Sequence, residues 1–361
     1  MPSIELVASV IKILFLVTLV MGVVPIVIWL ERRGAGWIQG RPGPNRVGPF
    51  GLMQPLADVF KLVFKESFVP KNASKFYYYL APIMAAVAPL AAWAAIPFGS
   101  YFVINGIHIH LILANVPLGV LAVLAFAGLE IYPVMLAGWA SNNKYSSFGA
   151  LRGASQFVSY EISMGLALAS MLLIYGTFDL TEMANFQAEK SFIGLPMWGI
   201  LLNPVAFIIF LISIFAETNR VPFDLPEADA ELVGGYHTEY GATKFAMFFF
   251  AEYIAMMMAS GLLIAIFFGG FNLFPGMGRI IPCIADIFGP SATVNQNILA
   301  AMQIVSFFIK VGFMMFFFIW VRWSFPRFRF DQLMNLGWKI LLPLSLLNLI
   351  VVAIVLYLKG N

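Results

Sequence analysis

Apolar residues in this chain come in long runs separated by shorter polar stretches. A bilayer core takes roughly 20 apolar residues in a helix. Eight runs meet that length: about 9–30, 77–98, 112–140, 154–178, 196–217, 243–269, 298–321 and 334–358. The pattern predicts an all-α integral membrane protein, a bundle of eight transmembrane helices in a single membrane domain spanning 1–361. The first run reads as a span rather than a cleaved signal. It is too long, and it ends in Glu31-Arg32-Arg33 with no small-residue cleavage pattern.

The pattern changes between the first two runs, in an inner loop at 31–76. Leu52, Leu56, Phe60, Val63 and Phe64 fall on one helical face, and Gln54, Asp58, Lys61 and Lys65 fall largely elsewhere. This predicts an amphipathic helix at 52–67 lying in the membrane interface. The stretch before it, RPGPNRVGPFG (41–51), interleaves proline and glycine around Arg41 and Arg46. Proline fixes φ and glycine permits unusual φ, so this is a shaped loop. Anchoring and a ligand or partner surface are both open readings of the helix.

Lys and Arg set the sidedness. Sixteen of the 21 basic residues fall in or next to the stretches 31–76, 141–153, 218–242 and 322–333. By the positive-inside rule these face the cytoplasm, and both termini face the outer, periplasmic side. The opposite loops, 99–111, 179–195 and 270–297, carry few charges and suggest no function.

Composition agrees: 61% of residues are apolar and 11% charged, against about 25% charged in soluble domains. Cys283 is the only cysteine. No disulfide forms within the chain, and no cysteine cluster can hold zinc or an iron–sulfur centre. His108, His110 and His237 are too scattered for a haem pair. Any electron carrier therefore sits on another protein or diffuses in. The many Phe, Met and Trp side chains are what lipid-facing packing produces, and nothing in the chain suggests nucleic-acid binding.

Against this background the charges inside the runs stand out. Glu130 lies deep in the third, Glu161 one to two turns into the fourth, Glu252 in the sixth and Lys310 near the middle of the seventh. A charge at the centre of a span costs about 2.5–3.5 kcal/mol on insertion scales, and such residues usually belong to ion or proton pathways. A buried ion pair with Lys310 or an Arg is the plainer alternative for any one of them. The segment FAETNRVPFDLPEADAELVGGYHTEY (215–240) adds six carboxylates: Glu217, Asp224, Glu227, Asp229, Glu231 and Glu239. Asp224-Leu-Pro-Glu227 reads as a helix start, with Asp224 as N-cap and Glu227 at N3. Glu231 then follows on the same face. Capping does not account for Glu217, Asp229 and Glu231 as well. His237 reads as a hydrogen-bonded loop histidine outside the site.

Three stretches, ERRGAGWIQGRPGPNRVGPFGLMQPLADVFK (31–61), AETNRVPFDLPEADAELVGGYHTEY (216–240) and RWSFPRFRFDQL (322–333), closely resemble one membrane subunit of bacterial proton-pumping NADH:quinone oxidoreductase, the one designated H. That subunit is the homologue of mitochondrial complex I subunit 1. The likeness runs in order through essentially the whole chain. It implies a subunit of the bacterial inner membrane, between a redox arm and a pump arm. Such a subunit carries no redox centre and lines an access tunnel for a quinone, ubiquinone or menaquinone, which is reduced between peripheral subunits. One of those carries the last iron–sulfur cluster; the remaining partners are membrane subunits of the pump arm and lipid.

Carried over by position, the resemblance assigns Arg32, Arg41, Asp58, Phe223, Asp224 and Arg322 to the quinone tunnel. It assigns Glu130, Glu161, Glu217, Glu227, Asp229, Glu231 and Glu252 to an acidic proton-coupling path. Asp229 stands where the family often has Glu, and Pro42 where a larger side chain is common. Two alternatives stay open: the homologous subunit of a membrane-bound hydrogenase or another ferredoxin- or F420-type oxidoreductase, and a free-standing ion transporter. The intact GPNRVGP and QPLAD stretches point away from the first, and the acid-rich inner loop away from the second.

Overall fold

The computed structural model describes residues 2–104, 106–189, 191–192, 195–274, 277 and 292–360. Cys283 and the side chain of Asp229 lie outside the described residues. In chain order the helices are α1 (Pro2–Ile38), α2 (Gln54–Phe64), α3 (Lys75–Ala92), α4 (Gly119–Gly128), α5 (Ile131–Ala140), α6 (Lys144–Tyr175), α7 (Leu180–Glu189), α8 (Gly199–Leu202), α9 (Pro204–Glu217), α10 (Asp229–Leu232) and α11 (Ala242–Phe267). They are followed by α12 (Ala292–Ser324), α13 (Phe330–Asn335), a widened turn over Leu336–Leu341 and α14 (Leu342–Leu358).

Seven candidate spans appear among the described residues: α1, α3, the α4–α5 pair, α6, α11, α12 and the α13–α14 unit. The run at 196–217 behaves differently. Asn203 divides it, its side chain capping α9 by accepting from the Ala206 N–H at 3.0 Å. The resulting α9 has 14 residues, about 21 Å at 1.5 Å per residue, short of a hydrocarbon core of roughly 30 Å.

Other elements also depart from the apolar pattern. The run at 112–140 is broken between α4 and α5 at Leu129-Glu130. Pro133 is the cause, because it has no N–H to give the carbonyl four residues back. α6 starts ten residues before its expected boundary, at Lys144, because Asn143 caps it by accepting from the Tyr145 N–H at 2.9 Å. The amphipathic helix is shorter than 52–67, with Pro55 in its first turn. It packs against α1 and α11, and Phe60, Val63 and Phe64 are exposed along it.

The chain is not purely helical. A hairpin pairs β1 (Tyr101–Ile104) with β2 (Ile107–His110), antiparallel. Asn297 of α12 fastens it, accepting from the Val103 N–H at 2.7 Å and donating to the Val103 carbonyl at 2.9 Å. Periodicity over so short a polar stretch gives little strand signal.

The core centres on α11, buried along most of its length among α3, α12, α1 and α9. Lys310 of α12 has no carboxylate within ion-pair distance among the described residues. Its ammonium donates to the carbonyls of Phe268, Gly270 and Asn272 at 2.9, 3.0 and 2.7 Å. These follow the C-terminus of α11, where the helix dipole favours a cation. The alternative of an ion pair at Lys310 gives way, among the described residues, to a helix-end cap.

Close backbone approach governs the junction of the C-terminal part of α5 with the N-terminal part of α6. A Cβ on Gly138 would lie 2.3 Å from the Ala150 Cβ and 2.5 Å from the Ser146 carbonyl oxygen. Gly138→Val should therefore push the pair apart at a cost of about 1–3 kcal/mol. The expected outcome is a lower melting temperature for the detergent-purified protein. An unchanged melting temperature would mean that the pair does not pack this way.

Candidate functional site

The C-terminal ends of α1 and α12 and the N-terminal half of α11 meet the acidic stretch 218–241 around one side chain, Arg220, which is 2% exposed. Its Nη1 donates to Glu31 Oε2 of α1 at 3.2 Å. Its Nε lies 2.7 Å from Glu252 Oε1 of α11, an ion pair off the N–H axis. Its guanidinium carbon sits 4.3 Å from the centroid of the Tyr253 ring. Glu31 also accepts from Arg322 Nη1 at 2.5 Å and from the Tyr253 hydroxyl at 2.7 Å. Two carboxylates and two guanidinium groups thus balance. Burial by itself would lower the pKa of Arg220, but Glu252 and Glu31 outweigh it and move it upward, so the group stays charged.

Beside this cluster a cavity of about 610 Å³ opens between the acidic stretch, α11 and the end of α12. Its polar lining includes Asp224, Glu227, His237, Tyr240, Arg322 and Arg327. Phe245, Phe249 and Trp323 supply apolar walls. A cavity of that size, with apolar walls and a few convergent polar groups, is typical of a small-molecule site. Asp224 accepts from Arg327 Nη2 at 2.6 Å. Burial nevertheless raises its carboxyl pKa, with Arg327 opposing. The expected N-cap at Asp224 is not formed: the only helix here, α10, begins at Asp229. Glu227 accepts from the Tyr236 hydroxyl at 2.8 Å. Burial, then the nearby Asp224 charge, pushes its carboxyl up to about 7. Burial and Glu227 together push the Tyr236 phenol upward, so it remains a neutral donor.

A second cavity, of about 40 Å³, lies deeper, and Glu130, Glu217, Asn219, Tyr236 and Glu252 line it. Its volume is enough for about two or three waters. Glu130 stands at the α4–α5 break, and its buried Oε1 has no hydrogen-bond partner among the described residues. Tyr236 lines this small cavity and donates to Glu227 of the large one, and Phe248 lines both. Glu161 is exposed on α6, its Oε1 2.8 Å from where a Cβ on Gly128 would stand.

The other expected residues are dispersed. Glu231 pairs with Arg152, the carboxylate 42% exposed. Glu239 accepts from Asn143 Nδ2 at 2.5 Å. Arg32 pairs with Asp58 and so ties α1 to α2. Arg41 is exposed and donates to Gln39 Oε1 at 2.7 Å. Phe223 is buried between Tyr160 and Phe328, with ring centroids at 5.4 and 5.5 Å. Gln156 of α6 donates to the Phe223 and Ala216 carbonyls, each at 2.7 Å.

Sequence reasoning alone does not single out Glu31, Arg220, Arg327, Tyr236 or His237. Arg220 carries a signal, as a fixed cation inside the densest run of acids. Glu31 does not, because it looks like the polar end of a span.

Two outcomes follow from this geometry. Arg220→Ala leaves Glu31 and Glu252 buried without their shared cation, and breaking such a pair typically costs about 3–5 kcal/mol. The variant should accumulate in membranes far below the wild-type level by immunoblot; a normal level would remove the cluster from the fold's support. For Glu227 the folded-state pKa lies above the free value, so the folded protein holds the extra proton between about pH 4.5 and 7. Stability from that proton is present at low pH and is lost as pH rises through about 7. Infrared titration should show a protonated carboxyl band vanishing near pH 7 and missing in Glu227→Gln. A band vanishing near pH 4.5 would contradict the assignment.

Comparison with known proteins identifies the family. The profile of the NADH dehydrogenase family matches residues 11–353. Curated relatives cover nearly all of the chain. The NADH-quinone oxidoreductase subunit designated H in Bdellovibrio bacteriovorus is 42% identical over 99% of this chain and 98% of its own. The subunit of the same designation in Salinibacter ruber is 45% identical over 93% and 92%. NADH-quinone oxidoreductase subunit 8 of Rhodothermus marinus is 44% identical over 91% of both. A chain matched end to end at this identity belongs to the NADH dehydrogenase family of membrane subunits.

Proposed function

We propose that this chain is the membrane subunit of a proton-pumping NADH:quinone oxidoreductase that admits a quinone from the bilayer and converts its reduction into proton movement. The carrying observation is a pair of cavities linked by the Tyr236–Glu227 hydrogen bond: a large one with Asp224, Glu227 and arginines, and a small one with Tyr236, Glu252, Glu217 and Glu130. The names of the curated relatives favour this reading over a hydrogenase-type complex. The partners are then other membrane subunits and peripheral subunits that deliver electrons, one of them carrying an iron–sulfur cluster. The chain's residues supply binding, orientation and proton handling.

The quinone enters from the bilayer between α1, α2 and α11. Support comes from the packing of α2 against both helices and from the Arg32–Asp58 pair that holds α2 to α1. The head group then meets the arginines and acids of the large cavity. While an anionic reduced form persists, it raises the proton affinity of nearby carboxylates. At ~8 Å and an effective dielectric of ~20, one charge pair is worth about 2 kcal/mol, or roughly 1.5 pKa units. Glu227, poised at about 7, is the group such a field moves most readily. From there Tyr236, Glu252, Glu217 and Glu130 lead away from the cavity, and Glu161 faces outward toward a neighbouring membrane subunit. Glu231 belongs to the same acidic stretch, and its pairing with Arg152 makes it a weaker link.

The same reading makes α9 the eighth crossing, with both termini on the outer side. The basic residues clustered at 31–76 and 322–333 support that orientation. α9 is sheltered by α6, α11 and α14, so a short helix need not match the lipid thickness.

Ala57, half-buried on α2 beside Asp58, tests the entrance. Ala57→Phe should slow reduction of a long-tail quinone at least about five-fold more than that of a short-tail analogue in the assembled complex. Equal losses would argue against a tail channel there. Glu227→Gln and Glu217→Gln should leave assembly intact and lower both quinone turnover and proton pumping. Normal pumping in both would sink the proton-path reading.

A further inference from the structure

A further cavity, of about 280 Å³, lies toward the N-terminal end of α1, away from the acidic stretch. Ile13 and Val17 of α1 form one side of it. Leu90 of α3, with Ala94 just beyond that helix, forms another, and Leu113 and Ala114 complete it. The hollow arises where small side chains meet. The Ala114 N–H donates to the Ala94 carbonyl at 2.8 Å, so only methyl groups stand at this crossing of the chain. Ile13 and Val17 remain exposed beside it. Both α1 and α3 are candidate membrane spans, so the apolar walls face lipid.

Lys12 stands at the edge of this groove. Its ammonium donates to the Ile112 carbonyl at 2.9 Å and to the His110 carbonyl at 3.3 Å. Ile112 directly precedes Leu113 of the lining, and Lys12 directly precedes Ile13. The charge therefore adjoins the cavity from both sides. Two of the three ammonium donors are met, but neutral carbonyls leave the charge itself unbalanced. Among the described residues no carboxylate lies within ion-pair distance of it. Ser9, also in the lining, is three residues before Lys12. At that spacing its hydroxyl and the ammonium are neighbours on the helix surface. A lysine in the first turn of a span keeps its stem on apolar surface and its head at the interface.

We propose that this groove binds an anionic phospholipid, with one acyl chain in the cavity and the phosphate at Lys12 and Ser9. The apolar hollow accounts for a chain, and the unbalanced cation beside it accounts for an anion on the same molecule. A net-anionic headgroup is favoured over a zwitterionic one, whose own cation offsets the phosphate. The site lies about 29 Å along α1 from Glu31. It is thus separate from the acidic stretch and its cavities, and it does not depend on the function proposed above. The bound chain fills the space between α1 and α3, whereas α1 otherwise packs chiefly on α2, α11 and α12.

The test uses the assembled complex, stripped of lipid and reconstituted in phosphatidylcholine vesicles. A minor fraction of the lipid is phosphatidylglycerol, or in a parallel sample phosphatidylcholine, with a photoactivatable acyl chain. After illumination, labelled peptides are read by mass spectrometry. The phosphatidylglycerol probe should label Ile13, Val17 and Leu113 about five-fold more than the phosphatidylcholine probe, the scale of one lysine facing an anionic lipid. Lys12→Gln should bring that ratio to about one, and Lys12→Arg should keep it. Ala94→Leu, which fills the cavity, should lower labelling by both probes. Inorganic phosphate, at matched ionic strength, should leave the ratio unchanged because it brings no chain. Equal labelling by the two probes in the wild-type complex would overturn the site, as would a ratio that survives Lys12→Gln. Labelling by neither probe would assign the groove to a neighbouring subunit and overturn it. Loss of the ratio in phosphate would assign Lys12 to a soluble anion instead. The wild-type ratio and Ala94→Leu decide the matter even where Lys12→Gln does not assemble.

Discussion

The end of this protein that holds the acidic stretch depends on one buried cation. Arg220 is enclosed at 2% exposure, yet it is the one fixed cation in a stretch that carries six carboxylates. Moving a single such ion out of water costs several kcal/mol, and a buried group of this kind persists only with good partners. Arg220 has Glu31 from the first helix and Glu252 from the central one, with the Tyr253 ring against its guanidinium. Arg322 completes the balance from a fourth segment. Elements far apart in sequence are thereby tied at a single point where hydrophobic packing alone is non-directional.

That tie explains why the chain between α9 and α11 lies within the protein instead of extending into water. Arg220 anchors its start, Gln156 holds the Phe223 and Ala216 carbonyls, and the Pro226 carbonyl receives the Tyr236 N–H. Side chains that follow from these anchors then face two cavities on either side of Tyr236. An acid in such a place feels burial and like charge together, and both disfavour its ionised form. The same enclosure that makes these carboxylates costly to keep makes their proton affinity responsive to any new charge nearby.

Much of this is legible in the chain itself. Apolar runs mark seven spans, because a lipid-facing helix needs about 20 apolar residues whatever its neighbours. The amphipathic helix is legible from its period, and the large family motifs mark where the site forms. What escapes has physical reasons. The run 196–217 is apolar throughout, and only Asn203, turning from span residue to cap, shows why its helix is short. Pro133 breaks a span without interrupting its hydropathy. Asp224-Leu-Pro-Glu227 has every local mark of a helix start, but an arginine about a hundred residues away claims the carboxylate. Lys310 looks like a partner for an acid and instead satisfies carbonyls at a helix end, a partner that only the fold brings near.

Five of the six carboxylates of 215–240, those with described side chains, are finally distinguished by what they touch. Glu239 and Glu231 are fastened to Asn143 and Arg152, and they join the acidic stretch to the N-terminal part of α6. Asp224 is matched by an arginine at the cavity wall. Glu227 and Glu217 are in neither position: among the described residues no arginine or lysine lies within ion-pair distance of either, and each faces a cavity. A surface cluster of acids would be screened by salt and would titrate near the free value. Sorting them between paired docking positions and unpaired cavity positions gives one short segment both a fixed attachment and a responsive charge. The attachment is what allows the response to matter, because a carboxylate that moved freely would turn to water when it ionised, and Tyr236 and the turn at 235–237 prevent Glu227 from doing so.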